Sequence, residues 1–413
     1  KFDFLGLTLL KDVENCIFRI LKKEGNPAPT FADVKDFFDE HLNCRNVKQD
    51  DPAVWKHVYH NGRFTGVFQF TNAGARKFCL QAKPSSIEDL AAITAIYRPG
   101  PLKANVHRKY VKAKKNASEI KYDHPIIEDV LGPTSGFVVF QEQFMTLASE
   151  LAGFSPGDSD KLRKTLVKKS LDTADGKMNE REVAKQKFIE GAEKLHGVDR
   201  SISTNLWETI EAFAAYGFNK SHSVAYAIDS YYAAWLHTHY EKEWLATILQ
   251  SENNSPSGLA KTMSEIKSYG YGFAPADINL SGEEWSYSED VEAFVPPLSS
   301  VKGLGNAAMF EMINMRPYSD LNNLLYNAEG TWKHSKVNKT AFTSLCKIEA
   351  LSSLKELKEG KVENHRQLLA VLTDDKNYDL LRKGFYGMTK TQVKKAQKNN
   401  EMLVPIVERL IER

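Results

Sequence analysis

WETIEAFAAYGFNKSHSVAYAIDSYYAAW (207–235) sets one polar knot between two helical patterns. Leu206, Ile210, Phe213 and Ala214 recur at helical spacing, and Gly217 breaks the run. Asn219, Lys220, Ser221 and His222 follow, and Val224, Ala227, Ile228, Tyr231 and Trp235 then resume the period. A dense set of donors is thereby pinned between two rigid apolar helices, which is how a chain fixes Lys and His side chains toward a ligand. Pattern alone leaves two readings level: a ligand-facing loop, and a solvated interhelical loop that carries a Lys and a His.

The bulk of the chain narrows the class. Its 413 residues suffice for two or three domains with substantial cores. The net charge of +2 means that affinity for nucleic acid must come from local patches. Cys16, Cys44, Cys79 and Cys346 stand far apart with no C-x-x-C pair, which argues against a disulfide framework or a cysteine zinc site and fits a reducing cytosol. The most apolar stretch, 224–250, is interrupted by Asp229, His237, His239 and Glu241, so no membrane span is expected. No secretory signal opens the chain.

YGFNKSHS followed by AYA resembles the signature loop and helix in the fingers of family C DNA polymerases, the bacterial polymerase III alpha subunits. KFDFLGL (1–7), GVFQF (66–70), YRPGPL (97–102), GFVVFQEQ (136–143) and LAGFSPGDSDKLRK (151–164) resemble further motifs of that family, in the family's order. The likeness covers roughly residues 1–355. It implies DNA-templated transfer of a nucleotide from a dNTP to a primer 3′-hydroxyl with two Mg²⁺ ions. Template–primer DNA, dNTPs and an upstream palm, thumb and PHP portion are the implied partners. A sliding clamp is implied too, through regions not recognised in this chain. The expected setting is the cytoplasm of a bacterium or a phage-infected cell. Because the chain begins at Lys1, inside a motif, it reads as a fragment, a processed product or one part of a split polymerase.

KFDFLGL reads as a short buried strand closed by Gly6 and interrupted by Asp3. A carboxylate in such a setting must be paired, hydrogen-bonded or bound to metal. The resemblance makes Asp3 one of three palm carboxylates that hold the metals, and places Lys1 beside them as a triphosphate contact. The family's other two carboxylates belong to an upstream D-x-D strand that the sequence does not contain. Asp158-Ser159-Asp160 has that spacing, but two acids in a first helical turn are explained by capping and the helix dipole. Asp12 and Glu14 lie in an ordinary helical pattern.

Residues 11–60 read as a connecting region, amphipathic over 31–42, and GRFTGVFQF (62–70) alternates like a strand. Gln69, Arg76 and Lys77 stand near it as possible nucleic-acid contacts, solvated surface being the other account of the two cations. In YRPGPLKANVHRKYVKAKK (97–115), Pro99-Gly100-Pro101 fixes a rigid turn straight after Arg98. His107, Arg108, Lys109, Lys112, Lys114 and Lys115 then arrive without an acid. Such a run is either a solvated face or a surface that neutralises a duplex backbone, and the resemblance favours the second. GFVVFQEQFMTLASELAGF (136–154) looks like a buried strand running into a helix, with Gln141, Glu142 and Gln143 as a hydrogen-bonded hub. Phe140 stands where the family has Tyr.

DKLRKTLVKKS (160–170) sets Lys161, Lys164 and Lys168 on one helical face beside Arg163. The family pattern L-R-R-A-M-G-K-K contacts the incoming triphosphate, and the resemblance carries that role to Arg163, Lys164, Lys168 and Lys169. Here Lys164 replaces an Arg, with less bidentate capability, and Val167 replaces a Gly. Within the signature loop, Asn219, Lys220 and Ser221 are the further nucleotide contacts, with His222 near the sugar and base.

After Asn253-Asn254-Ser255-Pro256 the composition shifts, and GYGFAPADIN (270–279) resembles the family's crossing into its helix-hairpin-helix domain. In VKGLGNAAMFEMI (301–313), Gly303 and Gly305 allow backbone amides to approach a DNA phosphate at a helix start near Asn306, beside Lys302. A second hairpin is expected near 336–351, but Glu349 stands where the family has Gly, so that copy packs rather than binds.

The expected fold is mainly α with small β elements. Residues 1–10 end a palm, 11–272 form the fingers with their connection, 273–356 a tandem helix-hairpin-helix domain, and 357–413 a linker to a next region. Beside the polymerase reading stands a second: a catalytically silent module that clamps template–primer for a partner protein.

Overall fold

A computed structural model describes residues 7–167, 180–214, 217–328, 330–359, 365–384 and 389–399. The fold is mainly helical, and the chain forms two compact units, 1–241 and 242–413.

The first unit contains α1 (Thr8–Lys23), α2 (Phe31–His41), α3 (Ala73–Ala82), α4 (Ile87–Ile96), α5 (Val106–Lys115), α6 (Pro125–Leu131), α7 (Gln141–Thr146), α8 (Pro156–Val167), α9 (Glu180–His196), α10 (Arg200–Ala214) and α11 (Lys220–His239). Two apolar cores support it. In one, α4 is buried on every side from Leu90 to Ile96 and packs against Ala227, Tyr231 and Ala234 of α11. Alanines on both helices permit the close approach, and the buried Ser223 hydroxyl donates to the Ala91 carbonyl across it at 2.7 Å. Tyr59, Phe64, Phe70, Phe78 and Tyr110 fill the space around this pair. The other core joins α6 to α10 through Phe144, Leu147, Leu151, Phe188, Trp207 and Ile210.

Three local expectations are corrected. GRFTGVFQF is not a strand: Phe64, Val67 and Phe70 are buried at intervals of three, and Gly62, Gly66 and Gln69 take positive φ. That spacing curls the segment so that the Phe64 and Phe70 rings stack at 5.2 Å. The segment before α7 is buried and extended but, among the described residues, pairs only through one bridge, Phe140 with Phe218. Pro99-Gly100-Pro101 does not make a turn; it starts the short helix Pro99–Lys103, because Pro suits the first helical position. Residues 1–6, with the expected palm strand, lie outside the described residues.

The second unit opens with the remainder of α12 (Glu241–Ser251), then α13 (Pro256–Ser268). The described sheet lies in this unit: β1 (Gly272–Phe273), β3 (Ala293–Val295) and β2 (Ser286–Ser288), in that order. β1 runs parallel to β3, and β2 antiparallel to it with Tyr287 opposite Phe294. Next come α14 (Asn306–Asn314), α15 (Leu321–Leu325), α16 (Lys339–Lys347), α17 (His365–Thr373) and α18 (Asp375–Arg382). Their core includes Met309, Met312, Phe342 and Leu345, and Leu368, Val371, Leu372 and Leu381 extend it past residue 356. The turn at Asp277–Ser281 is a polar knot. Asn279 reaches the Tyr318 carbonyl and the Ser353 hydroxyl, both at 2.9 Å, and Asp277 accepts from the Ser353 amide at 3.1 Å.

Candidate nucleotide and DNA interface

The signature loop sits where distant motifs converge. The Phe218 amide donates to the Val139 carbonyl at 3.1 Å, and the Gln141 amide donates to the Phe218 carbonyl at 2.9 Å. The Gln141 side chain donates to the Gly217 carbonyl at 2.9 Å. Phe140-Gln141-Glu142 thus clamps the loop from behind, and the Glu142 carboxylate accepts from the Asn219 side chain at 3.1 Å and the Lys220 amide at 2.9 Å. Asn219 caps α11 by accepting from the His222 amide at 2.8 Å. The start of α11 therefore faces outward, with Asn219, Lys220, Ser221 and His222 all exposed.

Arg98 completes this corner. Its guanidinium lies 3.4 Å above the Phe218 ring, and burial draws its pKa below the ordinary value, with Tyr226 acting the other way. His222 packs at 4.0 Å on the Tyr226 ring, which meets Phe68 of the GVFQF segment edge-on at 5.1 Å. Four motifs spread from residue 66 to residue 222 thus meet around one loop. Glu142 and Lys220 also line a cleft of about 320 Å³ with Glu88, Asp129 and Glu150.

Arg163 and Lys164 lie on α8, which packs on α7 and α10. Arg163 donates from two nitrogens to one Asp160 oxygen at 3.0 and 2.9 Å, and Lys164 pairs with Asp160 at 2.6 Å. Hydrogen bonds from these two cations hold the Asp160 carboxyl below its ordinary pKa. Asp158 pairs with Lys187 at 2.7 Å, and its amide donates to Ser155. Both acids of this D-x-D spacing are taken up by cations. Lys168 and Lys169 lie outside the described residues, as do Lys1 and Asp3.

On α5, Val106 and Tyr110 turn inward, while Arg108, Lys109 and Lys112 are exposed. Lys114 instead pairs with Asp89, and His107 tucks edge-on against Phe78. Arg76 donates to the Phe70 carbonyl at 2.5 Å and braces the turn, whereas Lys77 is exposed.

In the second unit, Lys302, Gly303 and Gly305 form the turn before α14. Gly303 has φ +96°, and a Cβ there would lie 2.5 Å from the Ser344 hydroxyl oxygen. A Cβ on Gly305 would meet nothing within 4 Å, and no side chain caps α14. Open amides at a helix start are suited to an anion. The second copy differs. Glu311 reaches from α14 and accepts from Ser335 (amide and hydroxyl), Lys336 and Val337 at 2.7–3.0 Å. Burial alone would raise the Glu311 pKa, but these bonds hold it down at about 2. Glu349 takes φ +59°, the conformation for which glycine is the usual choice. Sequence reasoning missed Phe218 and Tyr226 as loop supports, and it saw Glu142 in a hydrogen-bonded hub without its partners Asn219 and Lys220. Glu142 beside two glutamines was the available signal.

These features define a class: a helical polymerase fingers domain followed by a helix-hairpin-helix region. The bacterial DNA polymerase III alpha subunit finger-domain model matches residues 29–195, and a helix-hairpin-helix motif model matches 270–360. The DNA polymerase III subunit alpha of Aquifex aeolicus is 34% identical over 373 residues, covering 89% of this chain and 30% of the relative. That of Campylobacter jejuni is 33% identical, covering 89% and 29%; that of Borreliella burgdorferi is 33% identical over 400 residues, covering 95% and 32%. The chain belongs to the family of bacterial DNA polymerase III alpha subunits, of which it carries the finger domain and the helix-hairpin-helix motif. It spans about 30% of the length of these relatives. Among the described residues, no helix is long and apolar enough to cross a membrane.

Proposed function

We propose that the chain forms the fingers and helix-hairpin-helix part of a DNA-templated DNA polymerase that transfers a nucleotide from a dNTP to a primer 3′-hydroxyl. The observation that carries this reading is the convergence of Arg98, Phe218 and Glu142 on the exposed start of α11. A helix start with Lys220, Ser221 and His222 facing outward suits a triphosphate. Lys220, Arg163 and Lys164 would hold the phosphates, with Lys168 and Lys169 as further contacts, and His222 would stand by the sugar. Arg108, Lys109 and Lys112 would neutralise the duplex backbone, as would the hairpin amides of Gly303 and Gly305 with Lys302.

Family membership implies a divalent metal, in the finer reading two Mg²⁺ ions. Asp158 and Asp160 do not fit that role, since they are bound by Lys187, Arg163 and Lys164. Asp3 remains the proposed metal ligand, with the other carboxylates supplied by the upstream palm portion. What the chain's own side chains do is bind and orient the triphosphate and the duplex.

The test is primer extension with dNTPs and Mg²⁺, using residues 1–413 with and without a separately expressed upstream palm. Activity only in the mixture, lost with Asp3→Asn, is the expected result. Extension by residues 1–413 alone would overturn the placement of the other carboxylates. DNA binding without extension in the mixture would leave the silent clamping module.

A further inference from the structure

We propose that His57, His237 and Glu241 form a zinc-binding site in the first unit, away from the loop at 217–222. His57 projects from the π-helical turn Trp55–His60, His237 from the last turn of α11, and Glu241 from the residue after the Tyr240 cap. One ligand atom from each lies within 4.8 Å of the others. The Glu241 Oε1 atom stands 3.4 Å from His57 Nε2 and 3.6 Å from His237 Nδ1.

These separations decide between two accounts. A good hydrogen bond from an imidazole nitrogen to a carboxylate spans about 2.7–2.9 Å. A tetrahedral zinc ion with bonds of about 2.0–2.2 Å sets its ligand atoms about 3.3–3.6 Å apart. The observed edges match the ligand tetrahedron and are too long for the hydrogen-bonded pair. His57 Nε2 is shielded from solvent and has no hydrogen-bond partner.

The chemistry of the donors agrees. Two imidazoles and one carboxylate are a zinc set that leaves a fourth position for water. His237 is fully buried on the inner side of the cluster. His57 and Glu241 are 27% and 17% exposed, which gives an ion a route in. Arg63 holds Glu241 Oε1 and so orients the carboxylate. A bound ion would pin the π-helical turn to the C-terminal end of α11, whose other end carries the 217–222 loop.

The experiment uses the full chain after dialysis against a chelator. Zinc is titrated by calorimetry, and cobalt absorption reports the coordination geometry. The expected result is one zinc per chain, a tetrahedral cobalt spectrum and a melting temperature that rises with zinc. His57→Ala and Glu241→Gln should each weaken zinc binding by about 100-fold or more, since altering a supporting partner alone costs about 10–100-fold. His60→Ala, whose ring contacts the Pro84 carbonyl, should bind as wild type. If Glu241→Gln does not fold, His57→Ala decides alone. Absence of stoichiometric zinc in the wild type, or unchanged affinity in His57→Ala, overturns the site.

Discussion

Gly305→Asp should move stability and DNA affinity in opposite directions. Gly305 is the residue before α14, with extended φ −73° and ψ 156°, and its Cβ position opens onto free space. An Asp there meets no steric obstacle and supplies a cap that the helix lacks. Exchange of Gly for Asp at a cap gains a few tenths of a kcal/mol, and a negative charge at a helix start adds about 0.3–1 kcal/mol. Urea unfolding should therefore show a small gain. The same carboxylate occupies the place proposed for a DNA phosphate. Two like charges about 4 Å apart repel by about 1 kcal/mol in water and up to about 4 kcal/mol near a protein surface. Duplex affinity should thus fall about tenfold or more, and the salt dependence should lose about one phosphate contact. Fluorescence anisotropy with a labelled template–primer across a salt series measures both. A variant that is more stable yet binds duplex with unchanged affinity and slope would show that the hairpin only packs.

Other expected outcomes are independent of that one. Gly303→Ala should cost about 1–3 kcal/mol of stability in urea unfolding, because alanine is strained at φ +96° and its Cβ crowds Ser344. Lys220→Ala or Arg163→Ala should raise the dNTP concentration needed for extension by the assembled enzyme, each removing a charge-assisted contact of about 1.5–3 kcal/mol, while duplex affinity changes little. The Glu311 carboxyl, held at about 2 against an ordinary 4.5, contributes stability that is full above the unfolded value and lost as pH falls toward 2. Unfolding should therefore become easier by about 2 kcal/mol between roughly pH 6 and pH 3, and Glu311→Gln should flatten that dependence. Arg98→Ala should speed hydrogen exchange of the amides at 217–222, since Phe218 loses the cation above its ring.

The helical class was legible because burial follows period. Val13, Phe37 and Tyr110 all fall on inward helical faces. The hairpin was legible for the same local reason, since two glycines before an apolar helix leave little choice. What misled was apolar spacing in short segments. GRFTGVFQF and GFVVF carry β-type residues, but neither is given a sheet to join. A single bridge to Phe218 contents one, and aromatic stacking curls the other. Phe140 meets Phe218 78 residues on, and Phe68 meets Tyr226 158 residues on, separations that no local window contains. The zinc set was illegible for that reason too, because His57 is 180 residues from His237.

The candidate site shows a subtler limit. From sequence, Arg163, Lys164 and Lys220 read as cations in want of an anion, whereas the fold already supplies one to Arg163 and Lys164. Asp160 takes the first two, and Glu142 takes the Lys220 amide. The magnitudes settle whether these pairs block a nucleotide. Exposed pairs such as these contribute about 0–1 kcal/mol. A triphosphate brings several charges, and each charge-assisted hydrogen bond to it contributes about 1.5–3 kcal/mol. Exchange of Asp160 for phosphate is therefore favourable. On the proposed reading, Asp160 holds Arg163 and Lys164 in one place, which would lower the ordering cost of binding a nucleotide. On that reading Asp160 is a placeholder, and the proposed site would be preorganised by a charge that its triphosphate displaces.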